Sequence, residues 1–303
     1  MMKIFVTGGS GFVGQHLVSS LLKKNHKITI FDSSIKKDKK LKSKNLKIIK
    51  GDIQKFDEIK KASSNSELIV HLAAQISVND SMKNPLKTNA INVTGSLNVF
   101  QACKENKISK IIVASTAAVY GVSKNILVDE TYPTIPISPY GASKLAMEKY
   151  LQCFAHSYNL DAICLRFFNI YGQGQSKEYA SVISKFVENL EQNKSLEIFG
   201  TGSQTRDFVS VDDVVQAIEK SIKNIKGKRG DIYNIASGKS VSIKDLAKLL
   251  ISISKKNVKI NYRKARIGDL KYSRASIKSA RKELGYAPKV SLEKGLKSFL
   301  ENS

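Results

Sequence analysis

Apolar residues gather in short runs separated by stretches with helical spacing. Six runs of five residues, at 3–7, 27–31, 46–50, 68–72, 110–114 and 162–166, are rich in Ile, Val, Leu and Phe. That length and composition predict strands. Between them, 14–24 places Leu17, Leu21 and Leu22 at helical spacing, and 93–106 and 141–157 read as further helices. Strands alternating with helices predict βαβ units, a parallel sheet and right-handed crossovers. The second half is less regular. Helices are expected at 180–192, 214–225 and 243–253, the last with apolar residues at 243, 246, 247, 250 and 251. Strands are expected at 195–199 and 231–235. Residues 130–139 hold three of the five prolines and read as a surface loop.

Composition narrows the class. At 303 residues the chain suits one large domain or two modest ones. Net charge is +24, but only seven of the 50 basic residues are Arg. Base-specific nucleic-acid recognition leans on Arg forks and single-strand channels on aromatics. Here Lys is scattered and Trp absent, so nucleic acid is not expected as the main partner. No apolar run reaches the ~18–20 residues of a membrane helix. The short apolar start, Met1 to Val6, runs straight into Thr7-Gly8-Gly9 and lacks a signal-peptide h-region. Cys103, Cys153 and Cys164 have no paired spacing and read as reduced, structural thiols of a cytoplasmic protein. Four scattered His give no metal-ligand pattern.

The first strand ends in Gly8-Gly9-Ser10-Gly11-Phe12-Val13-Gly14. Glycines at that point permit a tight turn and close approach of the backbone to a pyrophosphate. The helix N-terminus that follows offers free N–H groups. Asp32 ends the second strand, 24 residues after Gly8. An acid there accepts both hydroxyls of an adenosine ribose and repels a 2′-phosphate, which favours NAD over NADP. Eight Lys between 36 and 50 pull the other way, and the strand-end Asp is the stronger signal.

Further segments form an ordered set: Gly51-Asp52-Ile53, His71-Leu72-Ala73-Ala74, Asn92-Val93-Thr94-Gly95, Ser115-Thr116-Ala117-Ala118-Val119-Tyr120-Gly121, Tyr140-Gly141-Ala142-Ser143-Lys144, Arg166-Phe167-Phe168-Asn169-Ile170-Tyr171-Gly172, and Gln204-Thr205-Arg206-Asp207. With Arg266-Ile267-Gly268-Asp269 and Leu284-Gly285-Tyr286-Ala287-Pro288, the chain resembles the extended short-chain dehydrogenase/reductase family of nucleotide-sugar epimerases and dehydratases, over residues 2 to about 300. Its UDP-glucose 4-epimerase branch is the most similar.

The resemblance implies a doubly wound parallel (Rossmann) α/β sheet on 1–168, with a returning segment near 206–236. It implies a smaller α/β substrate domain on 169–303. NAD would be held by Gly8, Gly11, Phe12, Val13, Gly14, Asp32, Asp52, Ile53, Leu72, Ala73, Ala74, Asn92, Tyr140, Lys144 and Phe167. Thr116, Tyr140 and Lys144 would be catalytic. Tyr140 and Lys144 share a helix face. A phenol near pKa 10 is a poor base at neutrality, and a neighbouring ammonium together with the positive nicotinamide ring is expected to lower it. Thr116, Asn169, Arg206, Arg266 and Ser273 would meet a UDP-sugar, with Arg forks suited to its diphosphate. Arg166 is expected to support its loop from behind, and Phe168 to pack.

Two residues decide the expected reaction. Dehydratases of this family carry Asp-Glu after the catalytic Ser/Thr, whereas this chain has Ala117-Ala118. Methyl groups cannot expel a hydroxyl by acid–base chemistry. C4 epimerisation through a 4-keto sugar remains, with Ser273 leaving room for an N-acetyl group where some members have a bulky Tyr. Where the family has Ala-Asp after its Arg-x-Gly-Asp segment, Ala275 is followed by Ser276. The alternatives are a 4-keto-sugar reductase, a UDP-uronic acid epimerase, or a non-catalytic NAD- or RNA-binding protein on the same fold. The helices at 93–106 and 141–157 imply a homodimer.

Overall fold

A computed structural model describes residues 1–35, 43–122, 127–175, 182–265 and 271–301. The chain runs β1 (Lys3–Thr7), α1 (Phe12–Lys23), β2 (Lys27–Asp32), β3 (Leu46–Lys50), α2 (Phe56–Ser63), β4 (Leu68–His71), α3 (Val78–Lys83) and α4 (Pro85–Asn89). A π-helical turn over Ala90–Thr94 leads into α5 (Gly95–Glu105). Then come β5 (Lys110–Thr116), a 3₁₀ turn at Ala117–Tyr120, α6 (Pro139–Ser157), β6 (Asp161–Phe167), β7 (Asn169–Tyr171), α7 (Val182–Glu191), β8 (Leu196–Phe199), β9 (Thr205–Arg206) and β10 (Phe208–Ser210). The remainder is α8 (Val211–Asn224), β11 (Arg229–Ile235), β12 (Val241–Ser242), α9 (Ile243–Ser254), β13 (Ile260–Arg263) and α10 (Leu292–Glu301).

The chain forms two compact units. The first comprises Met1–Gly121, Pro133–Arg166 and Val215–Tyr233; the second comprises Val122–Tyr132, Phe167–Val214 and Asn234–Ser303. A seven-stranded sheet has the order β11-β6-β5-β4-β1-β2-β3. The pairings β1/β2, β1/β4, β2/β3 and β4/β5 are parallel. The chain builds outward from β1 to β3, then crosses back to β4. The order therefore reverses between β1 and β4, and in such sheets a crevice opens beyond the strand ends at that point. Ile4, Phe5 and Val6 of β1 are all buried, as expected for a strand covered on both faces. Phe5, Phe31, Val99, Phe100, Ile111, Met147 and Leu151 belong to the core of this unit. The second unit has its own core, including Tyr171, Phe186, Leu246, Leu250, Leu296 and Phe299.

All six strands expected in the first half are present, and β5 runs two residues further, to Thr116. The helix expected at 93–106 starts earlier, because Asn84 caps α4 and Pro85 occupies its first turn. Short α2, α3 and α4 were not expected, nor was α10, whose Leu292, Leu296 and Phe299 share one face. The loop expected over 130–139 stops at Ser138, whose hydroxyl accepts the Gly141 N–H at 3.1 Å and starts α6. Residues 180–181 of the helix expected at 180–192 lie outside the described residues, as do Arg266 and lysines 36–42. Cys103 and Cys164 are buried, but Cys153 is exposed on α6, so the expectation of a structural thiol fails there. No described helix is long and apolar enough to cross a membrane.

Candidate active site

The glycine turn joins β1 to α1. Gly8 has φ +69°, and an ideal Cβ there would lie 2.7 Å from the Ala73 backbone nitrogen, so no side chain fits. Gly14 is closer still, its Cβ position 2.3 Å from Gly8 O. At Gly11 a Cβ would meet only Gly8 O, at 3.2 Å. Gly11 is the N-cap of α1, and no side chain caps the helix. An open approach to uncapped amides fits a pyrophosphate. Phe12 and Val13 begin the helix, Phe12 resting edge-on against His16. Asp32 closes β2, and its carboxylate accepts the N–H groups of Ser10 at 2.9 Å and Ser34 at 3.0 Å. This draws the glycine turn to the end of β2.

The loop after β4 is tied down from two sides. Thr7 Oγ1 accepts the Ala73 N–H at 3.2 Å, and Thr7 O accepts that of Leu72 at 3.1 Å. Ala74 follows, half-buried. Asn92, fully buried in the π turn, accepts the Gln75 N–H at 2.8 Å and donates to Gln75 O at 2.9 Å and Ser143 Oγ at 3.0 Å. Asn92 thus fastens this loop to α6. Asp52 accepts the Gln54 N–H at 2.9 Å, and buried Ile53 packs where a Cβ on Gly95 would come within 2.8 Å. His71 bridges Thr7 Oγ1 at 2.7 Å and Ser96 Oγ at 2.9 Å. Burial lowers its pKa to about 3, with the Lys144 charge adding to the effect.

The three expected catalytic residues all fall in the first unit, around β5 and the start of α6. Thr116 ends β5 and accepts the Ala118 N–H at 3.2 Å. Tyr140 hydrogen-bonds to Thr116 through its side chain. Lys144, one turn on, is buried, and its Nζ donates to Ala114 O at 2.8 Å. Burial lowers Lys144 to about 8, while Cys164 and Glu148 push the other way. The Tyr140 pKa lies above its ordinary value. Burial raises it, and the bond to Thr116 only opposes that shift.

Behind these residues lies a buried ionic cluster that the sequence reading missed. Glu148 accepts from Arg166 Nε at 2.9 Å and Nη2 at 2.7 Å, and from Ser115 Oγ at 2.5 Å. The Arg166 guanidinium also stacks 4.7 Å from the Tyr120 ring centre. A signal existed: Tyr140, Lys144 and Glu148 recur every four residues on one helix face. Phe168 is buried, as expected.

In the second unit, Phe167 is buried and Asn169 begins β7. Asn169 Nδ2 donates to Asp207 O at 2.9 Å. Arg206 precedes Asp207 and pairs with Val241 between β9 and β12. Its Nη1 donates to Thr205 O at 2.8 Å. Ser273 is half-buried, two residues beyond Lys271, whose carbonyl accepts the Thr205 N–H at 3.0 Å. Asn169, Arg206 and Ser273 therefore converge on the segment around Asp207.

A parallel sheet with a glycine turn at its switch point, and a half-buried Thr116 and Tyr140 with a buried Lys144 in the same unit, define a dinucleotide-dependent α/β enzyme. Residues 4–236 match the model of the NAD dependent epimerase/dehydratase family. A putative UDP-glucose 4-epimerase from Methanocaldococcus jannaschii is 35% identical over 97% of this chain and 96% of its own. The dTDP-D-glucose 4,6-dehydratase of Bos taurus is 34% identical over 99% and 88%. Among solved structures, Thermotoga maritima UDP-glucose 4-epimerase with UDP-glucose aligns with TM-score 0.93 and 33% identity, covering 99% and 98% of the two chains. Methanobrevibacter ruminantium UDP-N-acetylglucosamine 4-epimerase with UDP-N-acetylmuramic acid aligns with TM-score 0.93 and 35% identity, covering 99% and 97%. The chain belongs to the NAD dependent epimerase/dehydratase family, an enzyme family of nucleotide sugars, and its cofactor is NAD.

Proposed function

We propose that this enzyme inverts C4 of a UDP-hexose through a 4-keto intermediate and accepts N-acetylated hexoses. The observation that carries the choice over dehydration is Ala117-Ala118, the first turn after Thr116. Two methyl groups there can neither protonate a leaving hydroxyl nor abstract a neighbouring proton. Bound NAD supplies hydride acceptance and return at one carbon. Tyr140 takes the proton of the 4-hydroxyl and later returns it to the 4-keto oxygen. Thr116, hydrogen-bonded to Tyr140, orients that oxygen and relays the proton. Lys144, charged and held under β5 by Ala114 O, grips the nicotinamide ribose and favours phenolate once the cofactor is in place. Asn169, Arg206 and Arg266 hold the diphosphate, and the small Ser273 leaves room for an N-acetyl group.

Purified enzyme should interconvert UDP-glucose with UDP-galactose, and UDP-N-acetylglucosamine with UDP-N-acetylgalactosamine, with no net use of added NAD(H). Tyr140→Phe should lower turnover by about 10²–10⁴-fold, the usual contribution of a general base. One equivalent of NADH consumed per product would point to a 4-keto-sugar reductase, and product from UDP-glucuronate alone to a uronate epimerase. Turnover of UDP-glucose without UDP-N-acetylglucosamine would overturn the role given to Ser273.

The reading extends to a homodimer. Met82 on α3, Leu86 on α4 and Tyr150 on α6 are 61%, 82% and 43% exposed, an apolar surface suited to a second copy. A solution mass of two chains is expected by light scattering, and a mass of one chain would remove this part.

A further inference from the structure

We propose that Asp207 is the positioning residue of the nucleotide-sugar half of the site, holding in register the backbone segments that carry Asn169, Arg206 and Ser273. This rests on the reading that those three residues meet the nucleotide sugar. Asp207 is fully buried. Its Oδ1 accepts the Ser237 N–H at 2.9 Å and the Ser237 hydroxyl at 2.6 Å. Its Oδ2 accepts the N–H groups of Gly238 at 3.1 Å and Ala275 at 3.2 Å. Its carbonyl accepts the Asn169 N–H at 3.2 Å and Asn169 Nδ2 at 2.9 Å. Asp207 thus gathers three separate chain segments: the start of β7, the loop at 237–238, and the segment 273–275. Arg206 is its chain neighbour.

Only a carboxylate suits this arrangement. Both of its oxygens face donors, and an amide would turn an NH₂ group toward one pair of them. The four donors are neutral, three backbone amides and a hydroxyl. A buried charge solvated only by neutral donors is costly. Burial accordingly raises the Asp207 pKa to about 6, against the pull of Ser237, Ala275 and Gly238. Among the described residues, the charged and phenolic groups nearby have hydrogen-bond partners of their own. Arg274 Nε donates to Gly238 O at 2.9 Å and Tyr286 Oη to Ala236 O at 2.8 Å. Asp213 accepts the N–H groups of Lys289 and Val290. Protonation of Asp207 turns an acceptor into a donor and loosens the segments it gathers.

The test is calorimetric titration of the NAD-bound enzyme with UDP, which needs no turnover. Asp207→Asn should weaken UDP binding by roughly 10–100-fold, the range expected when a charged hydrogen bond is lost. Bound NAD should remain at wild-type level. Ser237→Ala, which removes one donor, should give a smaller loss in the same direction. Wild-type UDP affinity should fall as pH drops from 7.5 to 5, and more steeply than in Asp207→Asn, where only the terminal phosphate of UDP itself still titrates in that window. Wild-type affinity in a folded Asp207→Asn, or an unchanged pH dependence, would overturn the proposal. If Asp207→Asn does not fold, Ser237→Ala decides: unchanged UDP affinity there overturns it. No UDP binding by wild-type enzyme would instead remove the nucleotide-sugar reading, and this inference with it.

Discussion

Glu148 and Arg166 illustrate what a single residue contributes. Their side chains are 0% and 3% exposed, and two hydrogen bonds join them. Removing one partner of such a pair leaves a buried charge unmatched, at a cost of about 3–5 kcal/mol. Glu148→Ala should therefore lower the unfolding free energy by about that amount. Glu148→Met combined with Arg166→Met should recover most of it, because two apolar groups leave no charge behind. Denaturant unfolding measures both, and a single variant within 1 kcal/mol of wild type would refute the argument. Sequence alone marked Arg166 as a support but not its partner, since the two lie 18 residues apart and meet only when β6 packs on α6. Tyr140, Lys144 and Thr116 were legible through spacing and motif. The upward shift of the Tyr140 pKa was not, because burial causes it.

At the scale of elements, the β1–α1 turn depends on glycine for two distinct reasons. Gly14 has no room, with backbone atoms 2.3–2.8 Å from any Cβ. Gly14→Ala should displace the turn, destabilise the protein by about 1–3 kcal/mol and abolish NAD binding. At Gly11 a Cβ would meet a single backbone atom, Gly8 O at 3.2 Å, so Gly11→Ala should cost far less stability than Gly14→Ala while losing NAD affinity to a methyl group in the pyrophosphate's place. Equal effects of the two changes on stability, measured by thermal melting and NAD titration, would show that this distinction fails. The π turn at Ala90–Thr94 belongs to the same scale. It places Asn92 against Gln75 and Ser143, and no periodicity announces it, because a single wide turn is invisible in a 3.6-residue pattern. Helix α10 was likewise overlooked. Its Gly295 sits where a Cβ would come within 2.2 Å of the Tyr171 hydroxyl, so the helix accepts a poor helix former for close packing.

At the scale of the molecule, buried ionisable groups set how stability responds to acid. His71 in the folded chain stays neutral to about pH 3, whereas an unfolded His takes a proton near 6.5. The unfolded state then binds more protons, so this contribution falls as pH drops from 6.5 toward 3, by at most about 1.4 kcal/mol per pH unit. Asp207 acts in the opposite sense. Its folded pKa of about 6 lies above the ordinary carboxylate value of 3.8, so stability rises as pH falls through that window. The two partly cancel between pH 6 and 4. Replacing His71 by Gln should flatten the acid side of the stability curve, measured by urea unfolding at several pH values. Curves that stay parallel to wild type would exclude His71 as the cause. The net charge of +24 has no comparable role in the site, where Lys144 and a few Arg carry the argument. By itself the sequence determined the order of the six first-half strands and the glycine turn after β1, and it singled out Asp32, Thr116, Tyr140 and Lys144 as candidates. Local pattern encodes each of these, since period, glycine and motif are properties of neighbouring residues. Only the tertiary structure decided the partners of Glu148 and the convergence on Asp207. Those contacts join residues up to 68 positions apart, and burial, which shifts the pKa values of His71, Tyr140 and Lys144, exists only once the chain has packed.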